Sequence, residues 1–298
     1  MPGTFARVGE MVAYFSRVVA PFPYEQLAHV ASSTRFGGME NASAIFYPAE
    51  SFTKGGPRES TVAHEIAHQW FGDAVTEREW TDVWLSEGFA TYFAALWAQH
   101  AHGDSAFTAA RRAMRETVLR SPATDAAPVV NEALADVGQV LNTNVYEKAG
   151  FVLHLLRLEV GDSAFFGGIR AYYRAHRHGN ASTADFQHAM ETAASRPLGW
   201  FFTQWFKRPG LPEVRASWRW DPARRQVVVT VVQPGRTAPY RLSLDVSVTD
   251  QFGNVSHARV KVEAAPATTA VLPRSSGRAP AAVAFDGDVS LLGRLLPN

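Results

Sequence analysis

Apolar residues recur at three- and four-residue spacing through the middle of the chain, from about residue 57 to residue 206. This spacing predicts amphipathic helices, because it places the apolar side chains on one helical face. Ser182 or Thr183 is a suitable N-cap for the last of these helices, and Gly161 and Gly179 follow the ends of two others. We expect helices at residues 64–70, 84–100, 146–160, 162–178 and 183–194.

After residues 209–212 the apolar pattern changes to a period of two, which is typical of strands with one buried face. Turn residues separate the alternating segments, so residues 212–298 are predicted to form a small antiparallel β-sandwich. Residues 264–280 are rich in Ala, Pro, Ser and Thr, and we expect a long loop there. The predicted strands are 227–232, 241–248 and 258–262.

Two further strands are predicted ahead of the helices, at residues 27–36 and 43–47. They stand on either side of the glycine-rich segment at 37–41. With strands at both ends and helices between them, the pattern predicts an α+β fold. We place a mainly helical domain at residues 1–211 and the β-sandwich at residues 212–298.

The chain has 298 residues, of which 46% are hydrophobic and 19% charged, and its formal net charge is +1. This composition is typical of a globular protein and excludes a disordered chain. The nearly neutral charge offers no basic excess for neutralising phosphates, so no nucleic-acid partner is expected. Because the chain has no cysteine, any metal site must use His, Asp or Glu.

No apolar run approaches the length of about 18 residues that a membrane span needs. The first residues, MPGTFARVGEMVAYF, lack the apolar core of a signal peptide. We therefore expect a soluble protein with no membrane span. The sequence leaves the oligomeric state open, and also the compartment, which is cytoplasmic or, if the chain is a fragment, an exported location.

An HExxH motif runs from His64 to His68, and Glu87 follows it after 18 intervening residues. Residues four apart share a helical face, so both histidines can bind one Zn²⁺ at about 2.0–2.1 Å. Glu65 points to the same side and is placed to accept a proton from zinc-activated water. Glu87, on a second predicted helix, supplies the third ligand and leaves the fourth position to water or substrate.

Taken alone, HExxH leaves another interpretation open, in which both histidines are solvated or hydrogen-bonded in a core and bind no metal. Glu87 favours the metal site, because it lies among apolar packing residues of a second helix and completes a ligand set of the right size. We expect one Zn²⁺ per chain, bound by His64, His68 and Glu87.

The zinc motif is accompanied by others in a defined order. Together they resemble the aminopeptidase N family of gluzincin zinc metallopeptidases, over about residues 10–211. This resemblance implies that the helical domain is thermolysin-like, that His64, His68 and Glu87 bind zinc, and that Glu65 is catalytic. The segments that carry it are GGMEN at 37–41, HEIAHQW at 64–70, WLSEGFA at 84–90 and YEKAG at 146–150.

The resemblance also implies that Glu40 binds the amino terminus of the substrate. A fixed carboxylate facing the zinc would pair with the protonated α-amine and bring only the first peptide bond to the metal. Gly37 and Gly38 would allow the backbone to approach the ligand closely, and Met39 would border the site. From composition alone, Glu40 would be a solvated carboxylate in a glycine-rich turn.

Tyr146 is the last residue to which the resemblance assigns a role. A neutral phenol can donate a hydrogen bond to the oxyanion that develops when water attacks a carbonyl carbon. Without the resemblance, Tyr146 would be taken for a packing residue at the start of a helix. With Glu147 and Lys148 following it, we favour the catalytic role.

The sequence therefore predicts a zinc-dependent aminopeptidase acting on peptides with a free N-terminus. Two alternatives stay open: an epoxide hydrolase, since a relative of this fold carries both activities, and a non-catalytic peptide-binding fragment. Relatives usually carry an N-terminal β-rich domain and often a helical C-terminal domain, which this chain lacks. We therefore expect a fragment or a minimal enzyme, with an open cleft, weaker binding of the amino terminus and some endopeptidase activity.

Overall fold

The computed structural model describes residues 5–134, 136–235, 237–272 and 278–297. The packing of the chain separates two compact units, Met1–Pro209 and Gly210–Asn298. Helices dominate the first unit and strands the second, so the α+β class expected from the sequence is confirmed. Among the described helices, none is long and apolar enough to cross a membrane.

Helices joined by short strands and turns make up the first unit. The helices are α1 (Val8–Val18), α2 (Ala49–Thr53), α3 (Glu59–His68), α4 (Trp84–His102), α5 (Asp104–Arg120), α6 (Pro122–Ala126), α7 (Ala149–Val160), α8 (Asp162–His176), α9 (Thr183–Ala194) and α10 (Gly199–Phe206). Single helical turns lie at Trp80–Asp82, Val137–Gln139 and Asn144–Lys148. The strands, which pair in parallel as β1 with β2 and β3 with β4, are β1 (Ala28–Ser32), β2 (Ala44–Pro48), β3 (Val75–Glu77) and β4 (Gly179–Ala181).

The predicted strand at 27–36 is wrong beyond Ser32, where β1 ends. The backbone N–H of Thr34 donates to Ser32 Oγ at 3.0 Å, and that of Phe36 donates to Thr34 Oγ1 at 3.2 Å. Hydroxyl groups that bond to the backbone two residues away offer the chain an alternative to the sheet ladder. The chain re-forms a short pairing only at Met39, whose N–H and carbonyl exchange hydrogen bonds with Phe46 on β2.

Two helices show how local chemistry sets their ends. Ser182 is the N-cap of α9 and forms a capping box with Asp185, each side chain bonding the other residue's backbone. The helix expected to run to residue 178 ends at His176 instead. His178 has a φ of +60°, outside the helical region, and its N–H donates to the carbonyl of Ala74, which leads the chain into β4.

The core of the first unit surrounds α4, which is buried on nearly all sides. Trp84 packs against Phe206 at a ring distance of 4.1 Å, and Phe89 against Phe186 at 5.1 Å. A helix that is apolar around its circumference belongs in the interior. Burial on several sides fixes the rotation of α4 about its axis, and with it the direction of Glu87.

A π-helical turn, Asn144–Lys148, precedes α7 and differs from the regular helix expected at 146–160. It packs against α4 where that helix carries Gly88. A Cβ on Gly88 would lie 2.7 Å from Ala149 Cβ and 3.2 Å from the carbonyl oxygen of Val145. The absence of a side chain at Gly88 therefore lets the two backbones approach closely, which brings Tyr146 beside Glu87.

The second unit consists of two sheets, with strand orders β10-β7-β8 and β11-β5-β6-β9. All its pairings are antiparallel except that of β11 with β5. Both sheets contribute valine and leucine side chains to one buried cluster. The strands are β5 (Glu213–Asp221), β6 (Gln226–Val232), β7 (Leu242–Thr249), β8 (Val255–Val262), β9 (Ala267–Val271), β10 (Ala282–Phe285) and β11 (Arg294–Leu295).

The long loop expected at 264–280 is wrong in its first part, where β9 lies. The segment ATTAV pairs with the edge of β6, with Ala270 opposite Val229 and Thr268 opposite Val231. Ala270 packs against the buried cluster, so small side chains suffice at this edge of the sheet. Residues 273–277 of the expected loop lie outside the described residues.

Candidate metal centre

Three side chains from two helices meet at one point of the first unit. His64 and His68 lie one turn apart on α3, with their Nε2 atoms 3.0 Å apart. Oε2 of Glu87, on α4, lies 3.3 Å from His64 Nε2 and 3.2 Å from His68 Nε2. These three atoms form a nearly equilateral triangle of nitrogen and oxygen donors.

The triangle fits a metal ion of tetrahedral preference. Ligand bonds of about 2.0–2.1 Å at tetrahedral angles place neighbouring donor atoms about 3.3 Å apart. The three distances between 3.0 and 3.3 Å agree with this spacing. Two imidazoles and a carboxylate are also a donor set that Zn²⁺ accepts with a fourth position open. His64, His68 and Glu87 could therefore hold such an ion.

The ring of His68 is held in one orientation. Its Nδ1 lies 3.0 Å from the carbonyl oxygen of Phe71 and 3.0 Å from Ser86 Oγ. A carbonyl accepts, so Nδ1 carries the proton and donates, which directs Nε2 toward the triangle. Gly72, with a φ of +121°, makes room for this arrangement, since a Cβ there would overlap Ser86 Oγ.

Charge at the centre is concentrated on Glu87. Burial alone would raise the pKa of its carboxyl group, but hydrogen bonds from His64 and His68 lower that pKa well below its usual range. Burial likewise opposes a charged His68, but the hydrogen bond and charge of Glu87 raise the pKa of His68 to about 10. At neutral pH the metal-free centre therefore holds an ionised Glu87 and a positively charged His68, with both of its ring nitrogens protonated.

Binding of Zn²⁺ is expected to release the His68 proton. Since the pKa of His68 in the metal-free protein is raised to about 10, the proton is bound throughout the neutral range and must leave before Nε2 can become a ligand. The apparent zinc affinity should rise about tenfold for each pH unit between pH 6.5 and 8.5. Calorimetric titrations in buffers of different ionisation enthalpy measure the protons released; a pH-independent affinity would contradict the assignment.

Glu65 adjoins this triangle on α3. Its side chain is 5% exposed. Burial, the largest cause, raises the pKa of its carboxyl group, while the neighbouring histidines act in the opposite direction. The carboxylate lies directly against Gly38, since a Cβ at that position would overlap Oε1, Cδ and Cγ of Glu65. The glycine-rich segment thus forms one wall of the Glu65 pocket.

Glu40 completes the acidic side of the centre. One ligand atom from each of Glu40, Glu65 and His68 lies within 4.8 Å of the others. The segment that carries Glu40 is fixed by Gln69, which is fully buried. Gln69 Nε2 donates to the carbonyl of Glu40 at 2.9 Å, and its Oε1 accepts from the N–H of Ser43 at 2.8 Å.

Gln69 is a residue that sequence reasoning missed. Its partners Ser43 and Glu40 lie 26 and 29 residues earlier in the chain, so no local pattern points to them. The one available signal was a polar side chain directly after His68, in a stretch that is otherwise apolar and buried. Gln69 links the HExxH helix to the glycine-rich segment and sets their separation.

Tyr146 reaches the centre from the π-helical turn. Its hydroxyl donates to Glu87 Oε1 at 2.8 Å, and its ring lies parallel to that of His64 at 6.1 Å. Burial first, and then the charge of Glu87, raise the pKa of the phenol, so Tyr146 is a neutral hydrogen-bond donor at physiological pH.

The donor triangle, Glu65, Glu40 and Tyr146 line one cavity of about 790 Å³. Every site residue expected from the sequence is among its lining residues: Gly37, Gly38, Met39, Glu40, His64, Glu65, His68, Glu87 and Tyr146. Phe36 and Trp80, which are 45% and 56% exposed, stand among them as well. The cavity is also lined by Arg58, Glu77 and Glu147. Of these three, only Glu147, which follows Tyr146, was named from the sequence.

Comparison with known proteins gives one family. The profile described as Peptidase family M1 domain matches residues 6–205. Among curated proteins, "Aminopeptidase N" of Streptomyces lividans is 32% identical over 195 residues, 60% of this chain and 22% of that protein. "Probable aminopeptidase 1" of Saccharolobus solfataricus is 26% identical over 272 residues, 85% of this chain and 34% of that protein. The chain thus spans only 22% to 34% of the length of these relatives.

Solved structures give a similar picture. A mutant of the M1 zinc metallopeptidase from Deinococcus radiodurans has a TM-score of 0.60 and 29% identity, over 70% of this chain and 45% of that one. Aminopeptidase A of Legionella pneumophila, in complex with aspartic acid, has a TM-score of 0.79 over 99% of this chain and 35% of that one. Its identity is 18%, so this second likeness concerns the fold alone.

Proposed function

The chain belongs to peptidase family M1, as the aminopeptidase N resemblance implied, and on this premise we propose that it is a zinc-dependent aminopeptidase. Its substrates would be peptides with a free amino terminus. The observation that carries the proposal is that the donor triangle, Glu65 and Glu40 share one cavity. A metal, a proton acceptor and a site for an amine are the groups that this reaction requires.

We assign the zinc ligands to His64, His68 and Glu87, with one Zn²⁺ per chain. The spacing of their donor atoms and the fixed ring of His68 support this assignment. When bound, zinc supplies a Lewis acid that polarises the substrate carbonyl and makes water a stronger acid. The two histidines and the carboxylate would hold the ion as its protein ligands, and water or substrate would supply the remaining ligand.

Glu65 would move the protons of the reaction. Its buried carboxylate, whose pKa is raised by burial, is a stronger base than an exposed glutamate. It would take a proton from the attacking water and return it to the amine that leaves. Because Glu65 adjoins the metal triangle without belonging to it, its oxygens stay available for proton transfer.

Glu40 would select the substrate by its amino terminus. Its carboxylate lies close to Glu65 and His68, so it could pair with the α-amine of a residue whose carbonyl faces the donor triangle. Gly37, Gly38 and Met39 would border the bound residue. Tyr146, whose hydroxyl donates to Glu87 here, would transfer its hydrogen bond to the oxyanion as negative charge develops.

The architecture is part of the proposal. We propose that residues 1–211 form a catalytic domain of thermolysin-like type, and that residues 212–298 form a β-sandwich. Two helices that present the HExxH pair and a downstream glutamate support the first statement. Two sheets whose side chains share one buried cluster support the second.

The proposed function is tested with a tripeptide and its N-acetylated form. Acetylation removes the charge that would pair with Glu40, so kcat/KM should fall about 100-fold. A chelator should abolish hydrolysis of the free peptide, and added Zn²⁺ should restore it. Equal rates for the two peptides would remove Glu40 from its role, and zinc binding without any hydrolysis would leave a peptide-binding module.

Gly38→Ala is expected to lower kcat/KM about 100-fold while zinc stays bound. The new methyl group would overlap the Glu65 carboxylate, and a displacement of about 1 Å in a catalytic group costs this much. Gly167→Ala, on α8 and outside the cavity lining, is the control, because a Cβ at Gly167 has no atom within 4 Å. Rates and zinc content should be measured for both variants. Similar rates for the two would show that contact with Gly38 does not position Glu65.

A further inference from the structure

The cavity continues beyond the metal centre along α3. Thr61, His64, Glu65 and His68 all line it. Their spacing of three, four and seven residues places them on one face of the helix, over its whole length. Arg58, the N-cap of α3, lines the cavity at the helix start, opposite to the end where His68 lies.

The adjacent helix runs in the opposite direction. Ser86, at the start of α4, contacts His68, whereas Trp97 near its end donates to Glu59 at 2.8 Å. The cavity therefore follows the two helices from the metal centre toward the Arg58 end. Small side chains of α4 and of α5 form its sides and leave room for an extended chain: Ala94, Ala95, Ala98, Ala110 and Ala113.

Charge is divided along the cavity. The lining carboxylates are those of Glu40, Glu65, Glu77, Glu87 and Glu147. Among the described lining residues, Arg58 is the single lysine or arginine, and it is exposed to solvent. The cavity therefore presents carboxylates around the metal centre and a guanidinium group at the start of α3. A short peptide has the complementary charges, an ammonium group at one end and a carboxylate at the other.

The separation fits a peptide of defined length. Arg58 precedes His64 by six residues, which is about 9 Å along the helix at 1.5 Å per residue. An extended peptide advances about 3.3–3.6 Å per residue, so about 9 Å corresponds to two or three residues beyond the bond that is cleaved. With one residue before that bond, the whole peptide has three or four residues.

We propose that Arg58 binds the C-terminal carboxylate of substrates three or four residues long, and so gives the enzyme a preference for short peptides with a free carboxyl terminus. This inference rests on the proposed aminopeptidase function, which orients the peptide with its amino terminus at Glu40. A guanidinium group recognises a carboxylate through paired N–H donors, so the preference depends on charge and on geometry.

The experiment compares Ala-Ala-Ala with its C-terminal amide. For the zinc-loaded protein, kcat/KM should be about fivefold higher for the free acid, mainly through KM, as expected for a partly exposed ion pair. Arg58→Gln should bring this ratio close to one, and Arg58→Lys should retain part of it. The matched control is Arg112→Gln, an exposed arginine of α5 outside the cavity lining, which should keep the ratio of the parent protein.

A binding measurement separates this inference from the proposed function. By calorimetry, the Glu65→Gln protein should bind the free acid about fivefold more tightly than the amide. The double variant that also carries Arg58→Gln should bind the two peptides equally. If that preference is found but no peptide is hydrolysed by the parent protein, the proposed function fails and the Arg58 assignment stands. Equal affinity for acid and amide, or a preference that survives Arg58→Gln, would overturn the assignment.

Discussion

Glu65→Gln is expected to lower kcat about 10⁴-fold and to leave zinc bound. General acid–base catalysis contributes about 10²–10⁴ to a rate, and Glu65 would act twice, as proton acceptor and then as proton donor. Glutamine has nearly the same size and fills the same space beside Gly38, but its amide is not a base at neutral pH. The three zinc ligands are unchanged, so the metal site should persist.

The measurement combines single-turnover rates with zinc content by atomic absorption. Glu116→Gln is the control, since Glu116 lies on α5 with its side chain 52% exposed and outside the cavity lining. It should match the parent protein in rate and zinc content. Normal turnover by Glu65→Gln would overturn the proposed mechanism, and zinc loss would show that Glu65 helps to hold the ion.

The parts of the site that were predictable are those that local spacing determines. A spacing of four positions from His64 to His68 places both rings on one face of any helix, whatever packs around it. Glu87 followed from its place on a second predicted helix, and the family resemblance then supplied Glu40 and Tyr146; the family match over residues 6–205 confirms that resemblance. The roles of these residues stay predictions that the variants test.

The parts that were not predictable depend on distant partners. Helix α5 buries Phe107, Arg111, Met114 and Val118 at helical spacing. Because one residue of that buried face is an arginine, the apolar period is interrupted, and the sequence pattern did not predict this helix. The Arg58 end of the cavity likewise depends on alanines that α4 and α5 contribute to its lining. The sequence of either helix taken alone does not indicate that the two line one cavity.

His68→Ala is expected to abolish zinc binding at micromolar metal and, with it, all hydrolysis. His68 supplies one corner of the donor triangle, and two ligands do not make a stable Zn²⁺ site. The ring is 1% exposed, so its removal also takes one buried hydrogen-bond partner from each of Ser86 Oγ, the Phe71 carbonyl and Glu87 Oε2. Such losses cost about 1–3 kcal/mol, so the metal-free variant should unfold at a lower temperature than the metal-free parent.

Two comparisons separate the loss of a ligand from a loss of folding. His188→Ala, which replaces an exposed histidine of α9, should keep both the zinc content and the melting temperature of the parent. Ser86→Ala removes one partner of the His68 ring but no ligand, and should weaken zinc binding about 10- to 100-fold with activity restored by excess metal. Excess zinc should not restore His68→Ala, because each group of three candidate ligands among the described residues includes His68; full recovery would mean that His68 is not a zinc ligand.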